Sequence, residues 1–189
     1  MSDNWLERST LLLGNEKLEY LKSLTIAVVG LGGVGAYAAE MLARAGVGSM
    51  IILDADNINP SNKNRQLLAL ESTMGQPKAQ LMYNRLMDIN PSLKITVIKE
   101  FLTQENVDEI LSHRPIDYIV DAIDTMSPKI ALIQFALSNS IKIVSSMGAG
   151  AKTDATKIKI KDISKSFNCP LAYMLRKRLR KVGISKGFN

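Results

Sequence analysis

Five short runs of apolar or alternating residues recur along the chain, at Leu24 to Val29, Met50 to Leu53, Ile95 to Ile98, Tyr118 to Ile123 and Ile141 to Ser145. Each has the length and patterning of a strand. Most are separated by segments whose apolar residues repeat at helical spacing: Val34 to Ala45, Pro77 to Ile89, Gln104 to Ser112, Ser127 to Ser140 and, last, Pro170 to Lys181. One or two shorter helices precede Tyr20. This alternation predicts an α/β fold with a Rossmann-like, mostly parallel sheet flanked by helices. Lys157 to Ile163 alternates lysine with isoleucine and reads as an edge strand with one wet face. In the last helix Leu171, Met174, Leu175, Leu179 and Val182 form an apolar stripe, leaving Arg176, Lys177, Arg180 and Lys181 mainly on other faces.

With 189 residues, 46% of them hydrophobic and 22% charged, the chain suits one domain spanning residues 1–189, with 164–189 as a basic helical segment. It shows no apolar run of about 18 residues and no charged-then-apolar leader, so neither a membrane span nor a secretory signal is expected and the location reads as cytoplasmic. The formal charge of +6 is unevenly placed: residues 152–189 carry +9 and residues 1–151 carry −3. Such a tail fits a nucleic-acid partner, and equally a solvated helix face. A single cysteine, Cys169, excludes an intrachain disulfide and a cysteine-rich zinc site.

Gly30-Leu31-Gly32-Gly33-Val34-Gly35 lies between the first apolar run and an alanine-rich helix. A strand turning through glycines into a helix is a phosphate cradle: Gly30 permits the turn, Gly32 lets backbone amides approach an anion, and Gly35 lets the helix pack closely. Followed by Asp54 at the end of the next strand, the pattern also fits a nicotinamide dehydrogenase.

The stretch after the second strand separates these readings. Asp54, Asp56, Asn62, Arg65 and Gln66 fall in one polar loop, and Gly75-Gln76-Pro77-Lys78 opens the next helix with Pro77 at its first position. A dehydrogenase has no need of this loop. A carboxylate at Asp54 suits ribose hydroxyls, whereas Arg65 and Lys78 are the cations a triphosphate requires. Asp121-Ala122-Ile123-Asp124 closes the fourth strand at the carboxyl edge, where Asp124 either serves as a magnesium ligand or caps the following helix, as Thr125 or Ser127 also could.

Taken together, Gly30-x-Gly32-Gly33-x-Gly35, Asp54-x-Asp56, Ser61-Asn62-x-Asn64-Arg65-Gln66, Gly75-x-Pro77-Lys78 and Asp121-x-x-Asp124 resemble the ThiF/MoeB/HesA adenylating superfamily, relatives of the ubiquitin-activating enzymes. The resemblance implies ATP as the nucleotide, with Asp54 on its ribose, Arg65 and Lys78 on its phosphates and magnesium at Asp124. It further implies a homodimer in which an arginine reaches the partner's site, for which Arg8 in Trp5-Leu6-Glu7-Arg8-Ser9-Thr10 is the match. Asn59-Pro60-Ser61-Asn62, Ser145-Ser146-Met147-Gly148-Ala149-Gly150 and the basic stretch from Asp162 to Leu179 are most similar to the tRNA-modifying branch of this superfamily. That branch adenylates the threonine carboxylate of threonylcarbamoyladenosine in tRNA and then closes a ring with net loss of water. The alternative is adenylation of the C-terminal glycine of a ubiquitin-like or sulfur-carrier protein, whose activators usually carry the Cys-x-x-Cys pairs absent here. A nucleotide-binding regulatory module without turnover is a third reading.

Some members also work with sulfur-relay proteins. Relatives of this kind usually continue some tens of residues past a motif like Gly183 to Gly187, so the resemblance implies a domain lacking its C-terminal end. Cys169 reads as a small, partly buried thiol, since no histidine lies near it in sequence, and His113 as a solvated loop residue.

Overall fold

In the computed structural model, which describes residues 5–189, β-branched and aliphatic runs form five strands: β1 (Thr25–Val29), β2 (Ser49–Leu53), β3 (Lys94–Ile98), β4 (Tyr118–Asp121) and β5 (Lys142–Ser145). They pair in parallel throughout in the order β3-β2-β1-β4-β5. The register sets Val29 opposite both Leu53 and Asp121, so β1, β2 and β4 end level with one another. Because β2 and β3 lie on one side of β1 and β4 and β5 on the other, the order in which strands are added reverses between β1 and β4, while every strand stays parallel. That switch point, at the carboxyl ends, is where open α/β sheets bind ligands.

Alternation along β1 assigns the helices to faces. Ile26 and Val28 point to the core beneath α3 (Gly35–Ala45) and α4 (Lys78–Ile89), with Ala36, Ala39, Ala43, Met82 and Leu86 buried against them. Ala27 and Val29 face the opposite layer of α5 (Val107–Leu111), α6 (Met126–Ser138) and α7 (Pro170–Lys181). Ahead of the sheet, α1 (Glu7–Leu13) and α2 (Asn15–Ser23) lie against the far end of α3, where Leu6 and Leu18 pack on Gly46.

Local chemistry moves several boundaries from their expected places. Lys157 to Ile163 is not a strand: Ala155–Lys157 and Ile163–Lys165 are single 3-10 turns capped by Asp154 and Asp162, and Ile158 and Ile160 are about four-fifths exposed. β4 stops at Asp121, which leaves Asp124 in the following turn instead of at the strand end. Pro77 is the residue before α4, held extended at ψ 127° by an isolated bridge to Asn57, and Lys78 opens the helix. The helix expected from Gln104 begins only at Val107, because Thr103 Oγ1 accepts from the amides of Glu105 and Asn106 and the Asn106 carboxamide binds back to Thr103. On α7 the buried side is Ala172, Leu175 and Leu179, while Met174 and Val182 of the expected stripe are exposed.

Candidate nucleotide site

The glycine loop connects β1 to α3 under tight steric limits. Gly30 has φ +89°, and a Cβ there would lie 2.8 Å from the Ala122 carbonyl oxygen. A Cβ on Gly35 would stand 1.7 Å from the Gly30 oxygen, so only glycine lets α3 start so close to the strand it leaves. At the start of α3 the Ala36 amide binds the Gly32 carbonyl at 3.4 Å and the Ala38 amide the Val34 carbonyl at 3.0 Å, so the helix begins within the loop, where its dipole favours an anion.

Asp54 closes the loop from β2. Its Oδ2 accepts from the Leu31 amide at 2.7 Å and its Oδ1 from the Asp56 amide at 2.8 Å. Burial pushes this carboxyl above its ordinary value, opposed by those two amides and by the charge of Lys78. With one bond accepted by each oxygen, lone pairs remain for further donors such as ribose hydroxyls. Lys78, whose side chain is 6% exposed, forms an ion pair with the half-exposed Asp56 at 2.8 Å.

The long loop folds back over the glycines. Asn62, buried, accepts the Asn59 amide on its Oδ1 and caps the 3-10 turn Pro60–Asn62. Its carbonyl takes the amides of Arg65 and Gln66, which delivers both side chains to the cradle. The Arg65 stem lies over Gly33, where an added Cβ would meet its Cγ at 3.4 Å, and its guanidinium holds Ser61 O and Asn64 Oδ1 at the surface. The Gln66 carboxamide approaches Gly32, with Nε2 3.6 Å from where a Cβ would be, and its buried Oε1 lacks a partner. An orphaned carboxamide oxygen beside open glycines is the feature a polar ligand would complete.

The fourth strand contributes a sealed counterpart. Asp121 and Lys129 are both fully buried and pair at 2.9 Å. Asp121 Oδ2 also accepts from the Ser145 hydroxyl at 2.5 Å and its Oδ1 from the Ile123 amide at 3.1 Å, while Lys129 Nζ donates to the Ile123 carbonyl at 2.9 Å. Burial pushes the Asp121 carboxyl up, and the Lys129 ammonium and the Ser145 hydroxyl oppose it. Asp124, exposed, follows directly in the turn before α6, whose N-cap is Thr125. The sequence marks Ser145 only as the start of the 145–150 motif and does not single out Lys129. The one signal is a lysine in an otherwise apolar helix, eight residues beyond a strand-end aspartate.

The structure therefore gathers Gly30, Gly32, Gly33, Gly35, Asp54, Asp56, Asn62, Arg65, Gln66 and Lys78 around one cradle at the switch point. Arg8 is elsewhere: its helix packs at the Gly46 end of α3, roughly 15 Å of helix away from the glycines. Cys169 is half-buried and caps α7, its sulfur accepting the amides of Gly148 and Ala172. A cavity of about 460 Å3 lies away from this chemistry on the sheet face of β4 and β5. Among the described residues no cluster of three or more His, Cys, Asp or Glu is arranged to hold a metal ion.

Sheet order, glycine cradle and flanking cations define a nucleotide-binding domain of the adenylating α/β class. The chain belongs to the ThiF family, whose pattern matches residues 6–187. It is 48% identical over 180 residues, 95% of this chain and 70% of the relative, to tRNA threonylcarbamoyladenosine dehydratase of Bacillus subtilis. Among solved structures it superposes with a TM-score of 0.90 on Escherichia coli tRNA N6-threonylcarbamoyladenosine dehydratase, TcdA, in complex with ATP, at 41% identity over 95% of this chain and 74% of that one. The complex of the same enzyme with AMP gives the same TM-score and identity. No helix among the described residues is long and apolar enough to cross a membrane.

Proposed function

We propose that this chain is an ATP-dependent adenylating enzyme that acts on threonylcarbamoyladenosine in tRNA and converts it to a cyclic form with net loss of water. The observation that carries the reading is the conjunction of an intact cradle with 48% identity to a dehydratase of that name across nearly the whole chain. ATP is a co-substrate: the threonine carboxylate oxygen bonds to the α-phosphorus and pyrophosphate leaves. The carbamoyl group then attacks the acyl carbon, and AMP departs with the carboxylate oxygen.

In this reading the positive end of α3 draws the phosphates into the glycine loop, the Gln66 Nε2 donates to a nucleotide oxygen while its buried Oε1 accepts from a hydroxyl or amino group of the ligand, and Asp54 takes ribose hydroxyls. Lys78 exchanges Asp56 for a phosphate, since Asp56 is half in water and loses little on release. Arg65, on the surface strap, stabilises the charge that develops on the phosphorus. Asp124 would hold a magnesium ion, which when bound neutralises phosphate charge. Arg8 would serve the site of a second copy, in keeping with its distance from its own cradle. An exposed apolar row of Val34, at the N-cap of α3, with Tyr37 and Met41 on the helix, supports a homodimeric contact beside the cradle.

The tRNA would meet α7. Tyr173, Arg176, Lys177 and Arg180 recur at i, i+3, i+4 and i+7 and line a shallow depression of about 290 Å3, opposite the buried Ala172, Leu175 and Leu179. Cations hold phosphates, and an exposed tyrosine offers a stacking surface to a base. A cytoplasmic location and sulfur-relay partners accord with this reading.

The test is ATP-dependent pyrophosphate release with and without tRNA bearing threonylcarbamoyladenosine, followed by mass analysis of the nucleoside. Release that requires the modified tRNA, with a product lighter by one water, is expected. Release driven instead by a carrier protein's C-terminal glycine would overturn the assignment.

A further inference from the structure

Lys129 is the most deeply buried cation among the described residues, and nothing in the adenylation chemistry above uses it. Burying a lysine and an aspartate together is costly, and replacing such a pair by apolar side chains is often neutral or stabilising, so stability alone is a weak reason for the pair. Its bonding pattern suggests another. Lys129 Nζ holds the Ile123 carbonyl at 2.9 Å and Asp121 Oδ1 holds the Ile123 amide at 3.1 Å, so both polar groups of the residue before Asp124 are fixed. Ala122, one residue earlier, is pressed against Gly30 and Gly35 of the cradle. Ser145 and the amide of Ser146, which binds the Asp121 carbonyl at 2.8 Å, secure the same turn from β5.

We propose that Lys129 is a positioning residue for the nucleotide site: through Ile123 it holds the turn 121–124 in register with the glycine loop, and thereby sets where the Asp124 carboxylate stands relative to the phosphates. The proposal rests on the reading of Asp124 as the carboxylate that serves a phosphate-bound magnesium ion. It assigns to a buried lysine the orientation of an exposed carboxylate five residues earlier, which it never touches.

Lys129→Met alone leaves Asp121 buried without its cation and risks unfolding. The informative variant is Asp121→Asn with Lys129→Met, which removes both charges and the ion pair between them together, keeps an acceptor for the Ile123 amide and a donor for the Ser145 hydroxyl oxygen at position 121, and deletes the bond to the Ile123 carbonyl. Two readouts apply to the purified chain. Amide hydrogen exchange at residues 122–125 should accelerate at least tenfold, with strands β1 and β2 unchanged. The magnesium concentration that half-saturates ATP binding should rise about tenfold, while ATP affinity at saturating magnesium changes less than threefold. The magnesium effect should disappear when the parent and the double variant both carry Asp124→Asn, because there is then no carboxylate to misplace.

A folded double variant with the exchange and magnesium dependence of the parent overturns the proposal. So does a double variant that fails to fold, since the pair would then be architectural. If the parent chain binds ATP with no magnesium dependence, the reading of Asp124 fails and the proposal with it, a result distinct from the other two.

Discussion

Two lysine–aspartate pairs stand at strand ends on either side of β1, almost equal in length and opposite in setting. Lys78–Asp56, beyond β2, spans 2.8 Å with its carboxylate half in water; Lys129–Asp121, at the last residue of β4, spans 2.9 Å with both partners sealed. An ion pair with one side in water can exchange partners, because water solvates whichever group is released. A sealed pair cannot, because the released charge would stay in a medium of low polarity. Similar bonds thus suit different tasks: the open pair can release its cation, as the proposed transfer of Lys78 to a phosphate requires, and the closed one holds backbone geometry. Distance alone tells little about role, and exposure tells much.

The sharpest way to break this comparison is to remove each lysine in turn. Lys129→Met should cost about 3–5 kcal/mol of folding stability, the penalty of a buried unpaired charge, seen as a large fall in melting temperature. Lys78→Met should lower stability by only about 1 kcal/mol, since Asp56 remains hydrated, yet reduce ATP-dependent pyrophosphate release roughly a hundred- to a thousandfold. Equal stability losses in denaturant melts would erase the distinction.

Glu40 offers an intermediate case. Its buried carboxylate meets Arg85 at 2.6 Å and Arg44 at 2.8 Å, both half-exposed, and the Arg85 hydrogen bond leads in holding it below the usual carboxylate value against the opposing effect of burial. Glu40→Gln should cost about 1–2 kcal/mol at neutral pH. Because the folded value is depressed, that increment is present above the unfolded value of about 4.3 and is lost as pH falls through the lower folded value. Parent and variant melting curves should converge in that window. At the exposed limit, Glu19→Gln, which breaks the pair with Lys22, should change stability by no more than about 0.5 kcal/mol.

Much of the cradle was legible in the sequence because its constraints are local. Gly30 and Gly35 are needed by atoms within a few residues or in the adjoining strand, and Asp54 reaches Leu31 from the end of the next strand. The sealed pair was not legible: a lysine eight residues beyond an aspartate faces it only because α6 packs on β4 through one particular register. Lys157 to Ile163 failed for the converse reason. Alternation signals a strand only where one face has a core to cover, and here both Ile158 and Ile160 stay in water. Pro77 stands one residue outside α4 because a bridge to Asn57 outweighs its preference for the first helical position.

The most direct test of the assigned chemistry follows the oxygen. With oxygen-18 in the threonine carboxylate of threonylcarbamoyladenosine tRNA, ATP and this chain, adenylation followed by ring closure predicts AMP carrying one labelled oxygen and a nucleoside that has lost one. Label found in inorganic phosphate with ADP as the partner product, or unlabelled AMP, would contradict activation of that carboxylate at the α-phosphorus.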